Sequence, residues 1–548
     1  MKFKRNKFSK STLFPWTDKS RALAIVMIIC VASIFFACAE REEDIDDDPA
    51  DVNGPMPAKD VVVLTSSNDV QISWEIPTKE DSLFNRDIQG FVITRHEGEA
   101  DEALPARTVR YESGDMIGNQ NVVAIISAEP TKDQEVFVTW KDIDVQLGVI
   151  YHYKIFTYDE TPNYSDPFSL EAAPGSLVQP RTNHAQVLLA DGRVLLCGGT
   201  GYGGKLDSAE IFDPQADSFE LLADSMNRRR TDHTATLLDD GTVLIAGGFG
   251  EDDEDEVEDG FIETLLSAEI FDPATGLFRF LDEGMAIGRG RHTATLLPDG
   301  SVLIVGGNDS VNAFDSAEIF HPETENFTAV SDTMAKSRFA HSITSFYTNQ
   351  EFRLLIAGGS NRQKALDSAT FFNPDSFDFG RFDPISGSEE DTLAYGRMNH
   401  TATLTTPGNR IALIGGFTGA PSAGFRIADI ELFDIAAGEF LEMNPLATPR
   451  SDHLSALLSD GTILVAGGIG NGRVILSDSE IFDPVANIIS SASPLNQARM
   501  TARLTTLDDG RIFVAGGNGS ADPYAPHPMA TAEAYSLSMD SWDLIPSP

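Results

Sequence analysis

Cysteine is nearly missing from this chain, with three residues in 548: Cys30, Cys38 and Cys197. Cys30 lies in an apolar N-terminal stretch and Cys38 just beyond it, so Cys197 stands alone in the remainder and no internal disulfide can form there. Basic residues are also scarce, 40 Lys and Arg against 84 Asp and Glu, for a formal net charge of −44. Such a surface repels phosphodiester backbones, which excludes nucleic acid as a partner. Long hydrophobic runs are absent too. Ala22 to Ala37 gives sixteen residues without a charge, too few to span a bilayer comfortably, and it follows a segment, 1–21, with seven Lys or Arg and one Asp. That order of charge and hydropathy is a secretory signal. Removing residues 1–37 leaves 33 Lys and Arg against 83 Asp and Glu, a net charge of −50. Neither Gly-x-Ser-x-Gly nor His-Glu-x-x-His occurs.

What the sequence has in abundance is repetition. Seven glycine pairs, Gly198-Gly199, Gly247-Gly248, Gly306-Gly307, Gly358-Gly359, Gly415-Gly416, Gly467-Gly468 and Gly516-Gly517, follow one another at intervals of 49, 59, 52, 57, 52 and 49 residues. Each closes an apolar run, introduced in six copies by an Arg-x-x-His and divided in five by an Asp-Gly turn, while copies four and five carry longer turns around Asn349 and Pro407-Gly408-Asn409. Asp240-Gly241 predicts a two-residue hairpin with both turn positions at positive φ, which would place His233 opposite Gly248. The same reasoning places His184 opposite Gly199. Val243-Leu244-Ile245-Ala246 is apolar on both faces, as in a strand enclosed by neighbouring sheets. Ser267 to Pro273 reads as a third strand stopped by proline. A fourth carries an aromatic: Phe219, Phe278, Phe327, Phe440 or Trp542. Four strands per unit and seven units predict a radial ring of sheets.

These marks resemble the kelch repeat, and the resemblance covers about Ser176 to Pro548. It departs at Ala502, where the seventh His is replaced, at Thr370, which replaces the Glu of Ala-Glu, and at Tyr535 in place of phenylalanine. No strand is visibly exchanged between the first and last copies to lock the ring. Ahead of the repeats, Val70 to Trp74, Gly90 to Arg95 and Tyr151 to Ile155 alternate as strands. They resemble a fibronectin type III module, with Trp74 as its core tryptophan and Tyr151 as its corner tyrosine by position in that motif. Phe35-Phe36-Ala37-Cys38 resembles a bacterial lipobox, which implies lipidation of Cys38; the alternative is an uncleaved signal anchor, and either exports the folded part. The expected organisation is a lipoprotein signal peptide at 1–37, an acidic tether at 38–56, a fibronectin type III-like β-sandwich at 57–175 and a seven-bladed kelch β-propeller at 176–548. The fold class is all-β.

Candidate chemistry comes in two kinds. Arg181, Arg230, Arg289, Arg338, Arg397, Arg450 and Arg499 recur in all seven copies, and His184, His233, His292, His341, His400 and His453 in six. A ring of imidazoles could bind a metal or an anion. The stronger alternative is that a residue repeated in every unit serves the unit, with Arg satisfying backbone carbonyls between sheets. The acidic connection 251–259 reads first as a solvated loop; the alternative is that Asp252, Asp253 and Asp255 serve as hard oxygen ligands for calcium, without the spacing of an EF-hand. Gly199 to Gly204 matches Gly-x-Gly-x-x-Gly but runs into a strand rather than a helix, which makes it a loop. Cys197 reads as a small buried hydrophobe. Galactose oxidase shares the kelch propeller, yet its copper chemistry needs a Tyr-His pair, and none of Tyr202, Tyr347, Tyr395, Tyr524 and Tyr535 adjoins a histidine. Copper is therefore not expected. The composite expectation is an exported, lipid-anchored protein at the outer membrane or cell surface of a bacterium. It would bind a glycan or an extracellular or periplasmic protein through the propeller loop face without catalysis and without a required cofactor. The alternative is a carbohydrate-active or oxidising enzyme on the same face.

Overall fold

The apolar runs flanking each turn pair as antiparallel strands, and the turn sets their register. In the computed structural model, Thr234 pairs with Ala246 and Leu237 with Val243. Leu238 donates to the Thr242 carbonyl at 2.8 Å and Gly241 to the Leu238 carbonyl at 3.0 Å. Asp239, Asp240 and Gly241 thus form a three-residue loop in which Gly241 alone has positive φ, +86°. Asp240 locks it by accepting from the Thr242 N–H at 2.9 Å and hydroxyl at 2.7 Å. The strands consequently lie one residue away from the register expected of a two-residue turn. The same offset holds around Asp191-Gly192, Asp299-Gly300, Asp460-Gly461 and Asp509-Gly510. A one-residue slip exchanges the two faces of a strand. Val243–Ala246 is buried on both, so hydrophobicity exerts no preference and the turn decides.

The structure describes residues 58–545 except 66–68, 77–87, 98–104, 107–108, 118, 128–136, 147–150, 160–162, 173–175, 251–262, 349, 381–391, 407–408, 421–422 and 521–526. The signal, Cys38 and tether expectations, Tyr524 and the calcium candidates Asp252, Asp253 and Asp255 lie outside the described residues. Within them the fold is all-β, with no α-helix, and no helix is long and apolar enough to cross a membrane.

Seven four-stranded antiparallel sheets follow one another in the repeat region. Their first strands, Ala185–Leu188, Thr234–Leu237, Thr293–Leu296, Ser342–Thr348, Thr401–Leu404, Leu454–Leu457 and Arg503–Thr506, neighbour one another in order. The last also lies beside the first, so the arrangement closes into a propeller-like ring. The second strands are wholly buried between adjacent sheets, except that the fourth sheet's, Glu351–Ala357, is buried only over Leu354 to Ala357 and the fifth's, Arg410–Ile414, from Ile411 onward. Third and fourth strands meet through aromatic pairs such as Phe271 with Phe278, 4.7 Å between centroids, and Tyr535 with Trp542, 5.2 Å.

Among the described residues, the seam between the seventh and first sheets involves no exchanged strand. Phe513 stacks on Phe212 at 4.2 Å and 4°, and Arg503 donates to the His184 carbonyl at 3.0 Å. Leu177 donates to Ala530 at 2.8 Å, and Ser176 bonds the Ile545 carbonyl.

Ahead of the ring, two antiparallel sheets share one core. Lys59–Thr65, Val70–Glu75 and Phe137–Asp142 form the smaller, and Met116–Ile117, Gln120–Ser127, Gly90–Glu97, Tyr151–Tyr158 and Phe168–Ala172 the larger. Trp74 is fully buried, edge-on to Phe91 at 5.2 Å. The Tyr151 hydroxyl accepts the Gln146 N–H at 3.0 Å. This sandwich rests on the first sheet: Thr65 donates its N–H to Val178 and its hydroxyl to Leu177, at 2.8 and 2.7 Å. Tyr202 joins the sandwich core. At Gly203 a Cβ would stand 2.4 Å from the Val61 carbonyl, so the close approach requires glycine. The Gly-x-Gly-x-x-Gly stretch is therefore a short hairpin serving this docking.

Candidate functional site

The recurring arginines lie four residues ahead of the first strands and are almost completely buried. Arg289 is representative: Nη1 donates to the carbonyls of Gly306 at 2.7 Å and Ser316 at 3.1 Å, and Nη2 to Glu318 at 2.8 Å. Glu318 in turn accepts the N–H groups of Ala286 and Ile287 at 2.7 and 3.3 Å. The guanidinium thus satisfies carbonyls of its own sheet rather than carbonyls between sheets. The link between sheets is the arginine's own carbonyl, which accepts from the second glycine of the preceding pair, as in Gly248 to Arg289 at 2.9 Å. Seven such bonds run around the ring, ending with Gly517 to Arg181 at 2.9 Å. Burial lowers the pKa of Arg230, Arg289 and Arg397, and the neighbouring glutamate opposes it.

Each histidine is wedged between two glycine pairs. A Cβ on Gly198 would meet His233 Cε1 at 2.6 Å, and one on Gly248 would meet His233 Cβ at 2.8 Å. His292, His341, His400 and His453 share hydrogen bonds of 2.9 to 3.0 Å with Thr234, Thr293, Ser342 and Thr401 of the preceding sheet. His233 has the Cys197 sulfur at 3.6 Å instead. Where Ala502 replaces the seventh histidine, Leu454 replaces the hydroxyl partner and packs against it. Burial holds His292, His341 and His453 down to about 3 and pushes His184, His233 and His400 well below their usual value. Burial also pushes the Cys197 thiol up to about 12.

Sevenfold regularity breaks two residues after each arginine. Asn183, Asp232, Arg291, Ala340, Asn399, Asp452 and Thr501 all have positive φ, between 51° and 54°. Their backbones bond in sequence around the axis, from Asp232 donating to Asn183 at 3.1 Å through to Thr501 donating to Asp452 at 3.2 Å. At the seam the Thr182 and Thr501 hydroxyls meet at 2.6 Å. The backbone belt is regular and its side chains are not. Arg291 pairs with Asp232 at 3.2 Å while keeping 49% of its side chain accessible. Asp232 holds the Arg291 guanidinium above its ordinary pKa. Burial pushes the Asp452 carboxyl up, opposed by the Ser451 hydroxyl and by Arg291 and Arg426. Burial lowers Arg503, opposed by Asp232 and Asp452. Arg426 lies over the Phe417 ring at 5.4 Å.

Two carboxylates and three guanidiniums therefore share one end of the axis, a local excess of cations on a strongly acidic protein. This set suits polar and anionic recognition. Its signal in the sequence is the variable residue immediately before each histidine, which the repeated Arg and His overshadow. Among the described residues the propeller tyrosines do not converge. Tyr347 and Tyr395 are exposed, Tyr535 bonds Asp540 at 2.9 Å, and Tyr202 serves the sandwich. Among the described residues, no group of three or more His, Cys, Asp or Glu is placed to hold a metal ion.

No family model and no curated protein matches the sequence. Among solved structures, YjhT is similar at 14% identity and a TM-score of 0.44, over 58% of this chain and 99% of that one. A fungal alcohol oxidase of the AA5 family, in complex with copper, is similar at 14% identity and a TM-score of 0.49, over 66% of this chain and 76% of that one.

Proposed function

We propose that the protein is a non-catalytic binding scaffold: a seven-bladed kelch-type propeller carried on a fibronectin type III-like module. It is exported and anchored through a lipid on Cys38, and it engages a glycan or an envelope or extracellular protein at the axial end. The observation that carries this reading is the division of labour among polar residues. Those repeated in the sheets are buried and bonded into the scaffold, whereas the charged set at Asp232, Arg291 and Asp452, of which Arg291 keeps about half its side chain accessible, differs from unit to unit. A site for one ligand must break the symmetry of its frame, and this set does. The seven successive sheets support the blade number, and the buried Trp74 and the Tyr151 hydroxyl contact support the fibronectin-like assignment.

The test applies the detergent-solubilised full chain to glycan and surface-protein arrays, with and without calcium. Saturable binding that falls at least about tenfold in Arg291→Ser is expected, because a charge-assisted contact contributes on the order of 1.5–3 kcal/mol. Peroxide release from primary alcohols after copper loading, without array binding, would favour the oxidase instead.

A further inference from the structure

Six of the seven units fill one position identically. A glutamate from the third strand, Glu210, Glu269, Glu318, Glu431, Glu480 or Glu533, bridges the buried arginine and the backbone N–H two or three residues ahead of it. The fourth unit keeps the donors and lacks the acceptor. Arg338 is 1% exposed and donates to the Gly358 and Ser368 carbonyls at 2.9 and 3.0 Å, but no described carboxylate reaches it. Thr370 stands where the glutamate would be, and its hydroxyl turns away to the Gly380 carbonyl at 3.2 Å. No described group accepts from the N–H of Ala335 or Lys336, the counterparts of Ala286 and Ile287.

The space is open. A cavity of about 310 Å³ is lined by Arg338, Ser368, Thr370, Phe379 and Thr392. Ala369 at its edge is half-buried, while its counterparts Ala209, Ala268 and Ala532 are fully buried. Lys336 stands at the rim, 3.6 Å from Asp367.

We propose that this cavity is a binding site for a small organic carboxylate, whose two oxygens take the place that the glutamate occupies in the other six units. One oxygen would accept from Arg338 Nη2 and both from the Ala335 and Lys336 N–H groups, as the two oxygens of Glu318 do in the third unit. A planar carboxylate fits that cradle better than a tetrahedral oxyanion. The volume leaves room for a short carbon chain against Phe379. The internal repeats themselves supply the template for the ligand, and the inference does not rest on the axial site.

The test is calorimetric titration of the solubilised full chain, in chloride buffer, with acetate, butyrate and inorganic phosphate. Butyrate should bind more tightly than acetate and both more tightly than phosphate. Thr370→Glu, which restores the missing acceptor, should weaken both acids at least about tenfold while raising the melting temperature. Thr370→Gln fills the same space without charge and should weaken them as well, so the test survives if the first variant folds poorly. Absence of acetate binding, or equal affinity in wild type and both variants, would overturn the proposal. So would binding that emerges only when Asp383, Glu389, Glu390 and Asp391 are changed to Asn or Gln, because the chain's own carboxylates would then be the occupant.

Discussion

At the scale of single residues, the buried ion pairs and the buried imidazoles have different sensitivities. Removing one partner of a fully desolvated pair leaves the other charge uncompensated. Glu269→Ala, which strands Arg230 and frees the Asn227 and Arg228 N–H groups, should cost about 3–5 kcal/mol in denaturant unfolding. The histidines respond to pH. Their native pKa values are depressed, to about 3 for His292, against about 6.5 in the unfolded chain. Below pH 6.5 the unfolded state takes up protons that the native state refuses, so stability declines as pH falls toward 3. The native junction of Leu454 with Ala502 shows how to remove one contributor without leaving a polar orphan. Thr234→Leu with His292→Ala should flatten the decline by about 1.4 kcal/mol per pH unit between pH 6 and 4, read from urea midpoints. The presence of these residues was plain in the sequence. That each Arg closes a circuit within its own sheet was not, because a repeat shows which residues recur but not which carbonyls they reach.

At the scale of the hairpin, Asp-Gly announced a turn, but the two-residue length expected of it was one residue too short. Register followed the turn, since strands such as Val243–Ala246 bury both faces and tolerate either alignment. Two glycines in one hairpin should therefore answer differently to the same change. Gly241 has φ +86° and nothing within 4 Å of an added Cβ, so Gly241→Ala meets only left-handed strain of about 1–2 kcal/mol. Gly248 has φ +98°, and its Cβ would stand 2.7 Å from the Thr231 carbonyl and 2.8 Å from His233 Cβ. Gly248→Ala should cost about 3 kcal/mol or more, since strain and overpacking add. Thermal unfolding of the two variants side by side checks the difference.

At the scale of the whole molecule, the sequence revealed the number of repeats and the order of strands but not the seam, since residues 319 positions apart meet there. The seam keeps the Gly517-to-Arg181 bond common to all junctions, but there the backbone belt bond gives way to the contact of the Thr182 and Thr501 hydroxyls. Phe513→Ala at the seam and Phe271→Ala within the run, both fully buried, should each cost about 3–5 kcal/mol. A markedly smaller loss for Phe513→Ala in equilibrium unfolding would mark the seam as the weaker joint. The axial charges escaped the sequence for a related reason: Asp452, from the sixth unit, comes near Asp232 and Arg291 of the second and third only once the circle is complete. Thr65 grips the chain at Leu177 and Val178, immediately beside the residues that bond Ala530 and Ile545. Mechanical load arriving through the N-terminal sheets would enter the circle where its two ends are held by side-chain stacking and a few hydrogen bonds, and that joint would be the first to yield.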